Sequence, residues 1–198
     1  MQPFALPPAS REATQPVDAV RGFVFVSGRG YLRELGAFDR FLELLPRKHH
    51  ERFHEMTALE WVDLDEAMIG YRTCDALELT HEQQRILGRV VSSANNGTVI
   101  ETIARLAGGL GIAPWVPLQS MHKVWLRSNR GGAIAVYRVN ERAARIEVWQ
   151  APLARSPFFR VSLCGAVEHG LHLFRRAARV VEDERDPIPN GFALRATW

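Results

Sequence analysis

The run Ala133-Ile-Ala-Val-Tyr-Arg-Val139, followed across the polar link Asn140-Glu-Arg-Ala143 by Ala144-Arg-Ile-Glu-Val-Trp-Gln150, decides how the rest of the chain is read. Ile134 and Val136 face one way, while Ala133, Ala135, Tyr137 and Val139 face the other, which is the period-two pattern of a strand. Two such runs joined by a short link predict an antiparallel hairpin, entered through the turn Ser128-Asn-Arg-Gly-Gly132. An isolated hairpin is marginally stable in water, so this one requires layers to pack on.

Those layers are legible on both sides. Beyond the loop bracketed by Pro152 and Pro157, the residues Val161, Cys164, Val167, Leu171, Phe174 and Ala178 recur every three or four positions and predict a helix. Arg179-Val-Val-Glu-Asp183 and Gly191-Phe-Ala-Leu-Arg-Ala-Thr-Trp198 read as two closing strands joined by a turn at Asp186-Pro-Ile-Pro-Asn-Gly191. The last third is thus β-β-α-β-β, an antiparallel sheet with a helix on one face. Upstream, Val20–Val26 reads as an extended entry, and apolar residues at helical spacing from Tyr31 to Leu45 begin a mainly helical stretch. Asn95-Asn-Gly97 reads as the stop of one helix, with another over Val99–Leu110.

The expected fold class is therefore α+β. Residues 1–18 are a flexible Pro-rich tail, and residues 19–198 form a single domain with a helical half near 28–117 and a sheet half near 118–198. At 198 residues, 46% of them hydrophobic, one core suffices. The net charge of +3 comes from arginines scattered along the chain, so a concentrated nucleic-acid face is not expected. No run approaches the roughly 20 apolar residues of a membrane span. Cys74 and Cys164 stand far apart, as buried thiols of a reducing compartment do, and a cytoplasmic location is expected.

Several short motifs bear a resemblance. Gly22-Phe-Val-Phe25, Glu60-Trp61, Ile86-Leu-Gly-Arg89, His122-Lys-Val-Trp125, Gly131-Gly132, Leu163-Cys-Gly165 and the terminal aromatic strand resemble a paralogous family of myxobacterial domains of unknown function. In layout the chain is also similar to haem nitric-oxide-binding and vinyl-reductase-type domains, in which helices pack on an antiparallel sheet around a ligand. That resemblance implies a cytosolic sensor of bacterial signalling, and it places His122 in the segment that carries the iron-ligating histidine. Of the Tyr-x-Ser-x-Arg signature that holds haem propionates in that family, Tyr137-Arg-Val-Asn-Glu141 keeps only the tyrosine.

The remaining chemistry is sparse. His50-Glu51-Arg52-Phe53-His54 matches His-Glu-x-x-His, whose spacing places two imidazoles on one helix face for zinc, with Glu51 as general base and Glu60 as a third ligand. The flanking sequence is charged nearly all round, which favours a solvated helix face. No Gly-x-Ser-x-Gly elbow or phosphate loop is present. The reading is a non-enzymatic small-molecule sensor or protein-interaction module, with no cofactor expected. The alternatives are a zinc hydrolase at His50, His54 and Glu60, and a haem-binding gas sensor ligated by His122. The expected ligand-binding set is Trp115, Met121, His122, Trp125, Tyr137 and Trp149, an apolar group with polar tips. The expected partner is a small molecule or a protein, with homodimer formation left open.

Overall fold

In the computed structural model, which describes residues 1–108, 115–174 and 177–198 and residues 95–108 by their backbone alone, the hairpin forms as its alternation requires. Strand β5 (Ala133–Asn140) pairs antiparallel with β6 (Ala143–Trp149), setting Ile134 opposite Val148 and Val136 opposite Ile146. Beyond β6 the sheet continues through β8 (Phe192–Thr197) to β7 (Arg179–Glu182), and a strand from the start of the chain, β1 (Gln2–Ala5), pairs with β5. The sheet order is β1-β5-β6-β8-β7. A small second sheet joins β2 (Ala19–Arg21) to β3 (Trp61–Asp63) on one side and β4 (Asn129–Arg130) on the other.

Helix α8 (Pro157–His172) lies between β6 and β7 in sequence, and its start is heavily capped. The Ser156 hydroxyl accepts from Phe159 N–H at 3.1 Å, Pro157 occupies the first turn, and the Asp75 carboxylate accepts from Phe158 N–H at 2.7 Å and from the Ser156 hydroxyl at 3.0 Å. Asp75 ends α4 (Leu64–Asp75), so one carboxylate ties two helices together. The other helices are α1 (Phe23–Glu34), α2 (Phe38–Leu44), α3 (His50–Glu55), α5 (His81–Gly108), α6 (Trp115–Gln119) and α7 (Met121–Ser128). The architecture is α+β, with helices on the sheet face that carries Val136, Ile146, Val148 and Leu194.

Three expectations need correction. Residues 1–18 do not hang free as a tail: besides β1, Val17 N–H donates to Gln150 O at 2.9 Å and Gly132 N–H to Gln15 O at 2.8 Å. The reason lies on the sheet's second face, where Arg145 and Glu147 are buried and this segment supplies Arg11, 2.8 Å from the Glu147 carboxylate. Helix α5 runs through Asn95–Gly97 where a stop was expected, because αL-tolerant residues permit a break without imposing one. Phe174 and Ala178 fall past the end of α8, so the predicted apolar stripe covers a helix and its exit loop.

The tightest packing is between α5 and α8. A Cβ placed on Gly88 would meet the Ser162 carbonyl oxygen at 1.8 Å, and one on Gly165 would meet the Arg85 carbonyl oxygen at 2.0 Å, so backbone faces backbone at both points. Around this crossing Glu168 is buried between Arg85 at 2.8 Å and Arg89 at 3.2 Å. Burial alone would raise its carboxyl, yet the two guanidiniums and the Val180 N–H hold it below the usual range.

Substitution of alanine for Gly88 or Gly165 is expected to cost about 2 kcal/mol or more, since neither backbone can yield without moving its helix. Gly170→Ala on the same helix, where an added Cβ meets nothing within 4 Å, is the control and should be neutral or slightly stabilising. Urea unfolding of the three variants checks this ranking. A second expectation concerns acid. Arg185 first, opposed by burial and then helped by Arg145, lowers the Asp183 carboxyl from its ordinary 3.8 to about 2. A folded value below the unfolded one stabilises the protein above the unfolded value, and that stability is lost as pH falls through about 2. Asp183→Asn should therefore lose about 2 kcal/mol at neutral pH and flatten stability against pH between 4 and 2, as measured by denaturant midpoints across that range.

Candidate functional site

Where α4, α5, α7 and α8 meet above β5, they do not close. They leave a cavity of about 350 Å³. Its wall is formed by Leu87 and Val91 of α5, Met121, Val124 and Trp125 of α7, Ile134 of β5, and Phe158, Phe159 and Leu163 of α8, with Phe174 beyond it. Tyr71 enters from α4, and Val116 and Pro117 of α6 stand on the wall with Val116 exposed to solvent. The spacing explains the α7 side: Met121, Val124, Trp125 and Ser128 fall three or four apart and share one face. The volume lies within the range of small-molecule sites.

No charged side chain lines this cavity among the described residues. Its polar wall groups are mostly engaged internally: the Ser162 hydroxyl donates to the Phe158 carbonyl, and the Asn129 amide donates to Trp125 O at 3.2 Å. Tyr71 is buried at 7% exposure, with its ring 5.3 Å from Phe159 and 5.7 Å from Phe25. Burial pushes the phenol's pKa well above its ordinary value, so it remains a neutral donor. A second, smaller cavity of about 50 Å³ lies beside the first, and Val24, Tyr71, Leu87 and Phe158 border both.

Of the six residues expected to bind ligand, only Met121 and Trp125 reach this cavity. Trp115 packs on Phe4 at 4.7 Å and on Trp198 at 4.9 Å, beneath the Arg138 guanidinium. Tyr137 and Trp149 belong to the small cluster on the sheet's opposite face, where the Trp149 indole donates to Glu147 at 2.9 Å. His122 lies one position off the cavity-facing row of α7, and its Nδ1 accepts from Ile134 N–H at 3.4 Å. Burial lowers its pKa, which keeps the imidazole neutral.

The zinc alternative does not assemble. His50 Nε2 is 2.8 Å from Leu45 O, the His54 ring sits edge-on to Phe38 at 5.5 Å, and Glu51 is exposed. Glu60 is occupied by Arg52 at 2.8 Å and by Thr57 N–H. Among the described residues no three His, Cys, Asp or Glu side chains gather as a metal site. The thiols are equally poor nucleophiles, with burial pushing Cys164 up to about 11 and Cys74 higher. None of the described helices is long and apolar enough to cross a membrane.

No protein-family model and no curated protein matches the chain, so the resemblance to a myxobacterial family gains nothing from them. Solved structures do share its fold. It is similar to the unliganded Fe(II) H-NOX protein from K. algicida, with 9% identity, a TM-score of 0.64, and 89% of this chain and 95% of that one covered. A mutant H-NOX protein of T. Tengcongensis aligns at 20% identity and a TM-score of 0.57, covering 89% of this chain and 94% of that one. An oxygen-binding H-NOX domain related to soluble guanylate cyclases, in its oxygen complex, aligns at 19% identity and a TM-score of 0.54 over the same shares of the two chains. Another was solved to probe haem distortion in the H-NOX family. The expectation of no cofactor is overturned by this likeness, since the solved proteins that share the layout are haem proteins. At these identities the likeness bears on the fold, and the fold is that of the H-NOX domains.

Proposed function

We propose that the chain is a non-enzymatic sensor domain whose cavity seats haem and through it a small gas. The observation that carries this reading is an apolar cavity of about 350 Å³, open on one side, inside an H-NOX fold. The wall suits a macrocycle: Leu87, Val91, Val124, Trp125, Phe158 and Phe174 offer apolar surface to flat faces and exclude water. Bound haem would supply an iron centre for a diatomic gas.

The fit is incomplete at the iron. His122, the histidine that the resemblance pointed to, is turned to the β5 backbone and is not part of the wall. Met121 and Tyr71 are the wall side chains of types that ligate haem iron, and the protonated phenol is the weaker of the two. Titration of the protein with hemin, followed by absorption, is the test. A saturable Soret band is expected, unchanged by His122→Ala and shifted by Met121→Leu. Absence of the band ends the haem reading, and its loss in His122→Ala restores that histidine as the ligand.

A further inference from the structure

The smaller cavity, of about 50 Å³, lies where α1, α2, α3 and α4 meet α5 and α8. It exists because rings meet there at wide angles. Phe53 stands at 86° to Phe25 and at 57° to Phe41, with centroids 5.9 and 5.8 Å apart, and rings so tilted leave a gap between them. Small residues leave the gap unfilled: Gly28 and Cys74 stand on its wall, and a Cβ on Gly28 would meet no more than the Leu87 side chain, at 3.8 Å. Ten of the thirteen lining residues are buried, and the three half-buried ones, Val24, Phe25 and Arg29, all belong to α1. The space is therefore interior, approached from solvent along α1.

Water is a poor occupant of such a space, since it needs two to four polar partners. The Arg29 guanidinium on the rim donates instead to the carbonyl oxygens of Phe53, at 2.8 Å, and His54. Among the described residues, none of the buried polar side-chain atoms without a hydrogen bond belongs to this lining. Empty, the gap deprives its lining of contacts that a polarisable apolar atom would restore. We infer that the second cavity is a docking site for one small apolar gas molecule, of monatomic or diatomic size, separate from the seat in the large cavity. Its volume exceeds the share of a water in the liquid, roughly 30 Å³, and falls well below the roughly 150 Å³ that admits benzene. Val24, Tyr71, Leu87 and Phe158 border both cavities, so a gas held here is one side chain away from the occupant of the large one. The inference rests on the lining of the small cavity and not on haem being bound beside it.

Xenon is the probe, being apolar and monatomic and known to enter dry apolar cavities. Methyl-resolved NMR of the whole chain under rising xenon pressure separates the two spaces, because Leu32 lines only the second cavity and Val124 and Leu163 only the first. A saturable shift of the Leu32 methyls is expected in the parent protein. In Cys74→Leu, which fills the second cavity alone, that shift should fall at least about fivefold, while those of Val124 and Leu163 stay within about twofold. Gly28→Ala is a milder filling, expected to raise the half-saturating pressure about twofold or more, and it serves where the leucine variant does not fold. A Leu32 shift that is absent, or that grows with pressure without saturating, overturns the inference. One that persists unchanged in the folded variants also overturns it, as a shift relayed from the large cavity. A missing Soret band beside a saturable Leu32 shift ends only the haem reading, and a Soret band beside an unresponsive Leu32 ends only this one.

Discussion

The closeness of α5 and α8 is the constraint on which the rest of the structure depends. At Gly88 and Gly165 each helix presents bare backbone to the other, and a single added carbon at either point would stand within 2 Å of a carbonyl oxygen. Helices brought that near bury less side chain per turn but fix their mutual position firmly. The same contact explains the cavity. Gly88, Ser162 and Ala166, the small residues of the crossing, also border the open space, so the residue types that let the backbones meet leave volume beside the meeting point. The Arg85–Glu168–Arg89 cluster then locks the pair, since removing the Glu168 carboxylate would leave the largely buried Arg85 guanidinium without its counter-ion.

Much of the sheet half was legible because its information is local. The alternation at 133–150 and the two closing strands follow from period two alone, and the apolar stripe marked α8 to within a few residues at its start. The first strand was not legible, since Gln2–Ala5 contains Pro3 and looks like any proline-rich terminus. What makes it a strand is the open edge of β5, more than 130 positions away. The buried ions on the second face were hidden for a related reason. Arg145 and Glu147 alternate with Ile146 and Val148 just as solvent-facing residues would, and only the chain that crosses over them turns that face into an interior.

The candidate site was legible in part, and the errors have simple geometry. Met121 and Trp125 lie four apart on α7 and share its cavity face, whereas His122 is about 100° away from that row. Tyr137 and Trp149 were grouped with them for their chemistry, but both lie on the sheet face that turns from the helices. Tyr71 carried a weak mark: a lone tyrosine in the otherwise modest pattern of α4, indistinguishable by sequence from an aromatic core residue. The His-Glu-x-x-His match failed because a motif fixes spacing and says nothing of what else competes for its nitrogens. Leu45 O and the Phe38 ring reached the two imidazoles first.

The strand at the start of the chain has a protective consequence for the molecule's surroundings. A five-stranded sheet has two open edges, and one of them would be the long, apolar β5 if β1 were missing. Exposed edges of that kind recruit strands from other molecules. The strand that covers it is four residues long, and it slips register between Pro3 and Ala5. Pro3 has no N–H to donate. An incoming strand therefore meets a short, irregular border with a donor missing, and the sheet ends there instead of serving as a template for aggregation.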